Sequence, residues 1–221
     1  MGFGAAYNVG LSEEKAGVVP DPDWKHGNLN STWLGGETLL TGLGQGYMQA
    51  TPLQLAVMTA RIASGQAVVP VLQKRDASSA KPAFGALAYA PAHFNAVRAG
   101  MNAVVNDDGG TAEKAKLGDG KPLLAGKTGA SPVSSRAVEV LDDSIEWAKR
   151  GQSLFVCYEP ADAPRYAVAT VIEHGGDGDA AALLARDILN LAIDRDNPAR
   201  SKTGPQGGSI PSQTGDAQEA G

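Results

Sequence analysis

Cysteine is nearly absent. Cys157 is the only one among 221 residues, which excludes an internal disulfide and a cysteine-rich metal site. Aromatic residues make up only 5%, and no basic block offsets a formal net charge of −5, so a nucleic-acid partner is not expected. No run approaches the roughly 18 consecutive apolar residues that read as a membrane span. The opening MGFGAAYNVG lacks the basic region and long apolar core of a secretory signal peptide. The three histidines, His26, His93 and His174, are scattered without metal-ligand spacing, so no zinc site is expected. What remains is the composition of a globular chain rich in loops, with 28 glycines and 13 prolines. Its length allows one domain with a core of its own, or at most two small ones.

Residues 1–43 read as loop-dominated, with VVPDPDWKHG as turns. The first clear helix follows. Thr51 suits the N-cap, Pro52 the first helical position, and Gln54 completes a capping box. Leu53, Ala56, Val57 and Ala60 recur at helical spacing until Gly65. Residues 73–90 read as an exposed connection. A second helix begins near Pro91, with Phe94, Val97, Met101, Val104 and Val105 as its apolar stripe, and DDGG at 107–110 ends it as a turn.

The second half changes character. Residues 122–130 read as a strand, and SLFVCYE at 153–159 as a strand buried on both faces. RYAVATVIEH at 165–174 is rich in β-branched residues and reads as a third. The short EPADAPR connection favours antiparallel pairing. DDSIEWAKR at 142–150 reads as an exposed connection with Trp147 tucked in, and Ser134 and Ser135 as solvated loop. A last helix is expected over about 179–195, capped by Asp179, with Leu183, Leu184, Ile188 and Leu191 along one face. The chain thus divides into an α+β domain over 1–195 and a tail over 196–221, almost free of apolar residues and expected to be disordered. Helices, then consecutive strands, then a closing helix predict an antiparallel sheet of about three strands packed with helices.

The stretch PLLAGKTGAS, 122–131, stands out, because a short apolar run ends in Lys127, Thr128 and Gly129. A lysine at a sheet edge supplies positive charge for a carboxylate, and a neighbouring threonine offers a hydroxyl to the same group. A bare glycine lets a peptide backbone lie against the strand, and the next N–H, from Ala130, can face a developing oxyanion. Three residues alone are also compatible with an ordinary β-turn. The tripeptide recurs at Lys202, Thr203 and Gly204, with no strand before it and Pro205 after it, and that copy reads as coincidence. Cys157, inside an apolar strand, reads as a structural residue rather than a nucleophile.

Lys-Thr-Gly is one of three motifs of the penicillin-binding and serine β-lactamase superfamily, the others being Ser-x-x-Lys and Ser-x-Asn. In that chemistry the serine attacks, the lysine one turn later activates it, and an acyl-enzyme forms without a cofactor. Ser-x-Asn does not occur in this chain. Ser-x-x-Lys occurs at Ser12–Lys15, in a segment with no apolar stripe, and at Ser78–Lys81, in a polar connection followed by Pro82. A nucleophile must be held at a helix start in a packed cleft, and neither setting provides that.

Up to about Leu191 the chain resembles the C-terminal portion of the transpeptidase domain of class B penicillin-binding proteins, of the penicillin-binding protein 2 type. The resemblance runs in order through GFGAAYNVGLSEEKAGVVPDPDWK, GLGQGYMQATPLQLAVMTARIASG, GMNAVVNDDGGTA, GKTGA, SLFVCYEP and YAVATVIEHGGDGDAAALLARDIL. It implies a D,D-transpeptidase of cell-wall elongation, acting on peptidoglycan stem peptides, acylated by β-lactams, and placed at the periplasmic face of the bacterial inner membrane. By the same resemblance Lys127, Thr128 and Gly129 are the third catalytic motif. Lys127 and Thr128 would bind the substrate carboxylate, and Ala130 would lend its N–H to the oxyanion hole. Ala130 stands where relatives often carry threonine, Gln152 where they often carry histidine, and Gly175 and Gly176 match the turn after the last strand. The family's nucleophile precedes the matched segment, so the chain is expected to be a part of the enzyme, inactive without the remainder of the domain. Two rivals stay open: a non-catalytic module that binds peptides or a partner at the same edge, and a complete β-lactamase or carboxypeptidase, against which the missing Ser-x-Asn counts.

Overall fold

A computed structural model describes residues 1–73, 83–118, 123–131, 147, 150–176 and 178–196. Among the described residues, five α-helices and three strands follow in the order α1 Pro22–Leu29, α2 Gly35–Gly42, α3 Pro52–Ser64, α4 Pro91–Asn106, β1 Ala125–Ser131, β2 Gln152–Glu159, β3 Tyr166–Ile172 and α5 Gly178–Asp196. A 3₁₀ turn at Glu113–Ala115 lies between α4 and β1. Met1–Leu189 form one compact unit. Of a second, beginning at Asn190, residues 190–196 are described. Among the described residues no helix is long and apolar enough to cross a membrane.

The expected antiparallel sheet is present, in the order β1-β2-β3. Ala125 faces Tyr158 at one end of the first pair and Ser131 faces Gln152 at the other, while Ser153 faces Ile172 in the second. Side chains of a strand alternate between faces. One face of β2 therefore gives Phe155 and Cys157 to a core cluster with Val105, Ala112, Ala115, Leu124, Ala181, Ala182, Ala185 and Leu189. The other gives Tyr158, with Val156 packed alongside, to a second cluster holding Ala63, Met101 and Ala125. Helices thus cover both faces, which is why Leu154–Tyr158 within β2 is apolar.

α3 follows its local signals. Thr51 Oγ1 accepts from the Gln54 N–H, Gln54 Oε1 accepts from the Thr51 N–H, and Gly65 closes the helix at φ 72°. Residues 1–43 are a correction, because they contain two helices. In α1 the Asp21 carboxylate caps the Trp24 N–H at 2.7 Å, Pro22 opens the helix, and Asn30 ends it in the left-handed region at φ 46°. It has no apolar stripe; its one buried residue is Lys25. Lys25 Nζ donates to Glu37 on α2 at 2.6 Å and to the Thr32 carbonyl at 2.7 Å, while Glu37 also accepts from the Leu34 N–H. A distant ion pair, rather than periodicity, holds these helices.

Two further corrections concern α5. α5 buries Ala181, Ala182, Ala185 and Leu189, while Leu184, Ile188 and Leu191 are exposed and Leu183 is half-buried. The expected leucine face is largely solvated, because small alanines let the helix lie close to the sheet. Asp179 lies within the first turn of α5 and pairs with Lys114. The described end of the 73–90 connection also makes backbone bonds, Ala67 N–H to Gly85 O and Leu87 N–H to Gly65 O. The expected tail falls outside the described residues from 197 onward.

The Lys25–Glu37 pair predicts an acid-sensitive contribution to stability. The hydrogen bond from Lys25, followed by that from the Leu34 N–H, holds the Glu37 carboxyl below its ordinary value. A carboxyl lowered by folding stabilises fully above its unfolded pKa, and that contribution disappears as pH falls through the folded value. Glu37→Gln is expected to melt lower than wild type at neutral pH, with the gap closing as pH falls below the ordinary carboxylate range. Melting curves of both proteins across that range check this; a gap unchanged at acid pH contradicts it.

Candidate active site

The site begins at the end of α4. Gly110 lies against the helix, where an added Cβ would sit 2.3 Å from the Val104 carbonyl oxygen, so only glycine fits. The Ala112 N–H donates to the same carbonyl at 3.0 Å, and Ala112 and Ala115 are buried. Asn106 Nδ2 donates to the Leu124 carbonyl at 2.8 Å. The end of α4 is thereby tied to the residue that leads into β1, and the intervening turn is fixed beside that strand.

β1 pairs only with β2 among the described residues, so its other edge carries no strand. Lys127 and Ala130 are exposed on it, Thr128 and Gly129 half-buried. Lys127 Nζ donates to the Thr128 carbonyl at 2.7 Å and lies 3.3 Å from Thr128 Oγ1. Thr128 Oγ1 is 2.8 Å from Thr111 Oγ1. The arrangement is an ammonium and two hydroxyls at one accessible sheet edge, which is a set suited to an anionic group.

The two glycines of the strand differ in a way their letters do not show. At Gly126 an added Cβ would meet Phe155 Cζ at 2.3 Å, so packing demands glycine there. At Gly129 it would meet only Leu154 Cβ, at an ordinary 3.5 Å, and no positive φ is involved. Nothing inside the described protein requires Gly129 to lack a side chain. Its effect is on the outside of the sheet, where it leaves backbone uncovered.

Thr111 is the site residue that sequence reasoning does not single out. Its only local signal is the Gly-Gly-Thr-Ala run, whose glycines bring the chain back onto α4. Of the other candidates, Ser12 lies in an exposed turn, beside the start of α3 but not on a helix itself, and Ser78–Lys81, Ser134, Ser135 and the second Lys-Thr-Gly at 202–204 fall outside the described residues. Cys157 is fully buried, and burial, followed by the nearby Glu159 carboxylate, pushes its thiol well above the ordinary range. That is an inert cysteine. Trp147 is a correction: it is 63% exposed rather than tucked in, although its ring lies 4.3 Å from that of His174. His174 sits at φ 55° with Nδ1 3.2 Å from the Arg150 carbonyl oxygen. Gly175 is required by packing, since its Cβ would press on Ser153 at 2.8 Å, and Gly176 adopts φ 75°. Both therefore serve the turn after β3. Among the described residues no group of three His, Cys, Asp or Glu side chains is placed to hold a metal ion.

Comparison with known proteins decides the family. The profile described as the penicillin-binding protein transpeptidase domain matches residues 1–190. The chain belongs to that family. The transpeptidase-family chain is 35% identical to the peptidoglycan D,D-transpeptidase MrdA of Acinetobacter baumannii, over 90% of its own length and 31% of that protein's. It superposes on penicillin-binding protein 2 of Helicobacter pylori, solved in complex with MreC, with TM-score 0.75 and 31% identity, covering 88% of this chain and 34% of that one. It also superposes on Pseudomonas aeruginosa penicillin-binding protein 2 in complex with WCK 5153, with TM-score 0.68 and 33% identity, covering 88% and 41%. The chain thus spans about a third of the length of the curated relatives it matches. The expected class B, penicillin-binding protein 2-type resemblance and the α+β transpeptidase fold are both met.

Proposed function

We propose that this chain forms the carboxylate-binding side of the acyl-transfer site of a peptidoglycan D,D-transpeptidase of cell-wall elongation. Gly129 carries the reading, because no packing or backbone requirement accounts for it, while it leaves room for a peptide to extend β1. A stem peptide ending in D-alanine would lie along that edge, with its terminal carboxylate on Lys127 Nζ and the Thr128 hydroxyl. The Ala130 N–H would serve the oxyanion of the attacked carbonyl. β-Lactams, which carry a carboxylate beside the reactive carbonyl, would use the same contacts. On this reading the chain works on peptidoglycan at the periplasmic face of the inner membrane. Ser12 and Ser78 have no part in it; the proposal concerns the portion of the site that this chain carries.

The test is selectivity for a terminal carboxylate. The full chain is titrated by NMR with N-acetyl-D-alanyl-D-alanine and with its C-terminal amide. Wild type is expected to prefer the acid, with amide shifts on β1. Lys127→Ala removes one exposed charge-assisted contact, worth about 1–2 kcal/mol, so affinity for the acid should fall about tenfold and the preference should vanish. Equal binding of acid and amide by wild type contradicts the reading.

A further inference from the structure

We propose that Thr111 is a positioning residue for Thr128, fixing its hydroxyl as a donor toward a bound carboxylate. The proposal rests on the carboxylate-binding reading above. A threonine hydroxyl has one donor and two acceptor positions. Lys127 Nζ, which can only donate, lies 3.3 Å from Thr128 Oγ1 and takes one acceptor position. Thr111 Oγ1, 2.8 Å away, can take the other. With both acceptor positions filled, the Thr128 O–H must point at something else, and a carboxylate is purely an acceptor. If the Thr111–Thr128 bond ran the opposite way, the Thr128 donor would be consumed and the hydroxyl would repel a carboxylate oxygen. An arriving carboxylate therefore selects the first direction, and Thr111 supplies the partner that makes it available.

The fold places Thr111 for this and gives it little else to do. Its neighbours are pinned on both sides, Gly110 by its close approach to α4 and Ala112 by burial and its bond to Val104. The Asn106–Leu124 bond fixes that turn relative to β1. Thr111 itself is exposed, so no packing requirement explains a threonine there. A residue held rigidly by its neighbours, with its hydroxyl aimed at a second hydroxyl, is suited to set the direction of a hydrogen bond.

The test is a double-mutant cycle on the full chain, read by the affinity for N-acetyl-D-alanyl-D-alanine. Thr111→Val is expected to weaken binding about three- to tenfold, Thr111→Ser to restore it, and melting temperatures to stay close to wild type. Because Thr111 acts through Thr128, the loss should be absent in a Thr128→Val background, so the two substitutions are not additive. Thr111→Ala serves in the same cycle if the valine variant does not melt cooperatively. Undiminished affinity in Thr111→Val, or equal losses in both backgrounds, overturns the inference while leaving the carboxylate reading standing. Failure of wild type to prefer the acid over the amide overturns both.

Discussion

Phe155→Ala is expected to lower the unfolding free energy by about 3–5 kcal/mol, the range for deleting a buried aromatic side chain. Phe155 is 1% exposed and sits at the centre of the larger core cluster. Its ring fills the space where Gly126 would otherwise carry a Cβ, and its Cα is registered opposite Thr128. Truncation leaves a cavity under β1 that the backbone cannot close, because the end of α4 and the β2 ladder hold both sides. Domains of this size are stable by only about 5–15 kcal/mol, so the loss is a large share of the total. Urea titration measures it as a fall in midpoint at unchanged slope. Amide exchange at residues 126–129 should accelerate more than in α3, since the cavity lies directly beneath that strand. A loss below about 1 kcal/mol would mean that Phe155 does not support the site.

What could be read from the sequence was what is encoded locally. Thr51, Pro52, Gln54 and Gly65 specify the ends of α3 by hydrogen bonds within one turn, and the structure uses every one of them. The apolar run of β2 states its burial directly, whereas the β-branched run of β3 marks a strand that is mostly half-buried. α1 carries local end signals in Asp21, Pro22 and Asn30 but no apolar stripe, and its one buried side chain, Lys25, pairs with Glu37 twelve residues away, so periodicity does not reveal it. The buried face of α5 is hidden from the pattern for a different reason. Leucine dominates hydrophobic patterning, yet the close approach of α5 to the sheet favours alanine at the contact. In the site, Lys127, Thr128 and Gly129 could be read as a motif on a strand end. Thr111 could not, since 17 residues and a turn separate it from Thr128. Nor could the different reasons for Gly126 and Gly129 be seen without Phe155 in place.

Gln54→Leu is expected to cost about 3 kcal/mol, although it replaces one side chain by another of similar size. Gln54 is 1% exposed and carries more than its cap. Its Nε2 donates to the Ala5 carbonyl at 3.1 Å and to the Ala16 carbonyl at 2.8 Å, while Oε1 accepts from the Thr51 N–H at 3.0 Å. Leucine would leave two carbonyls and one N–H without these partners. The three bonds are part-buried, and at about 1 kcal/mol net for each hydrogen bond lost the sum falls near the stated value. Gly17 is locked beside it at φ 66°, with room for a Cβ denied by Gln49 O at 2.4 Å and Gln54 Oε1 at 2.9 Å. The segment 1–18 is therefore stitched to α3, which packs on the sheet that carries the site. Gln54→Glu separates the two ends of the amide. It keeps the acceptor for Thr51 but sets a carboxylate oxygen against two carbonyls, so it should be at least as damaging as leucine, and worse at neutral pH than in acid. Equal stability of Gln54→Glu and wild type would show that the amide nitrogen does not hold the N-terminal segment, whereas the predicted order adds that NH₂ group to the Val18–Gln49 backbone bridge as the segment's anchorage.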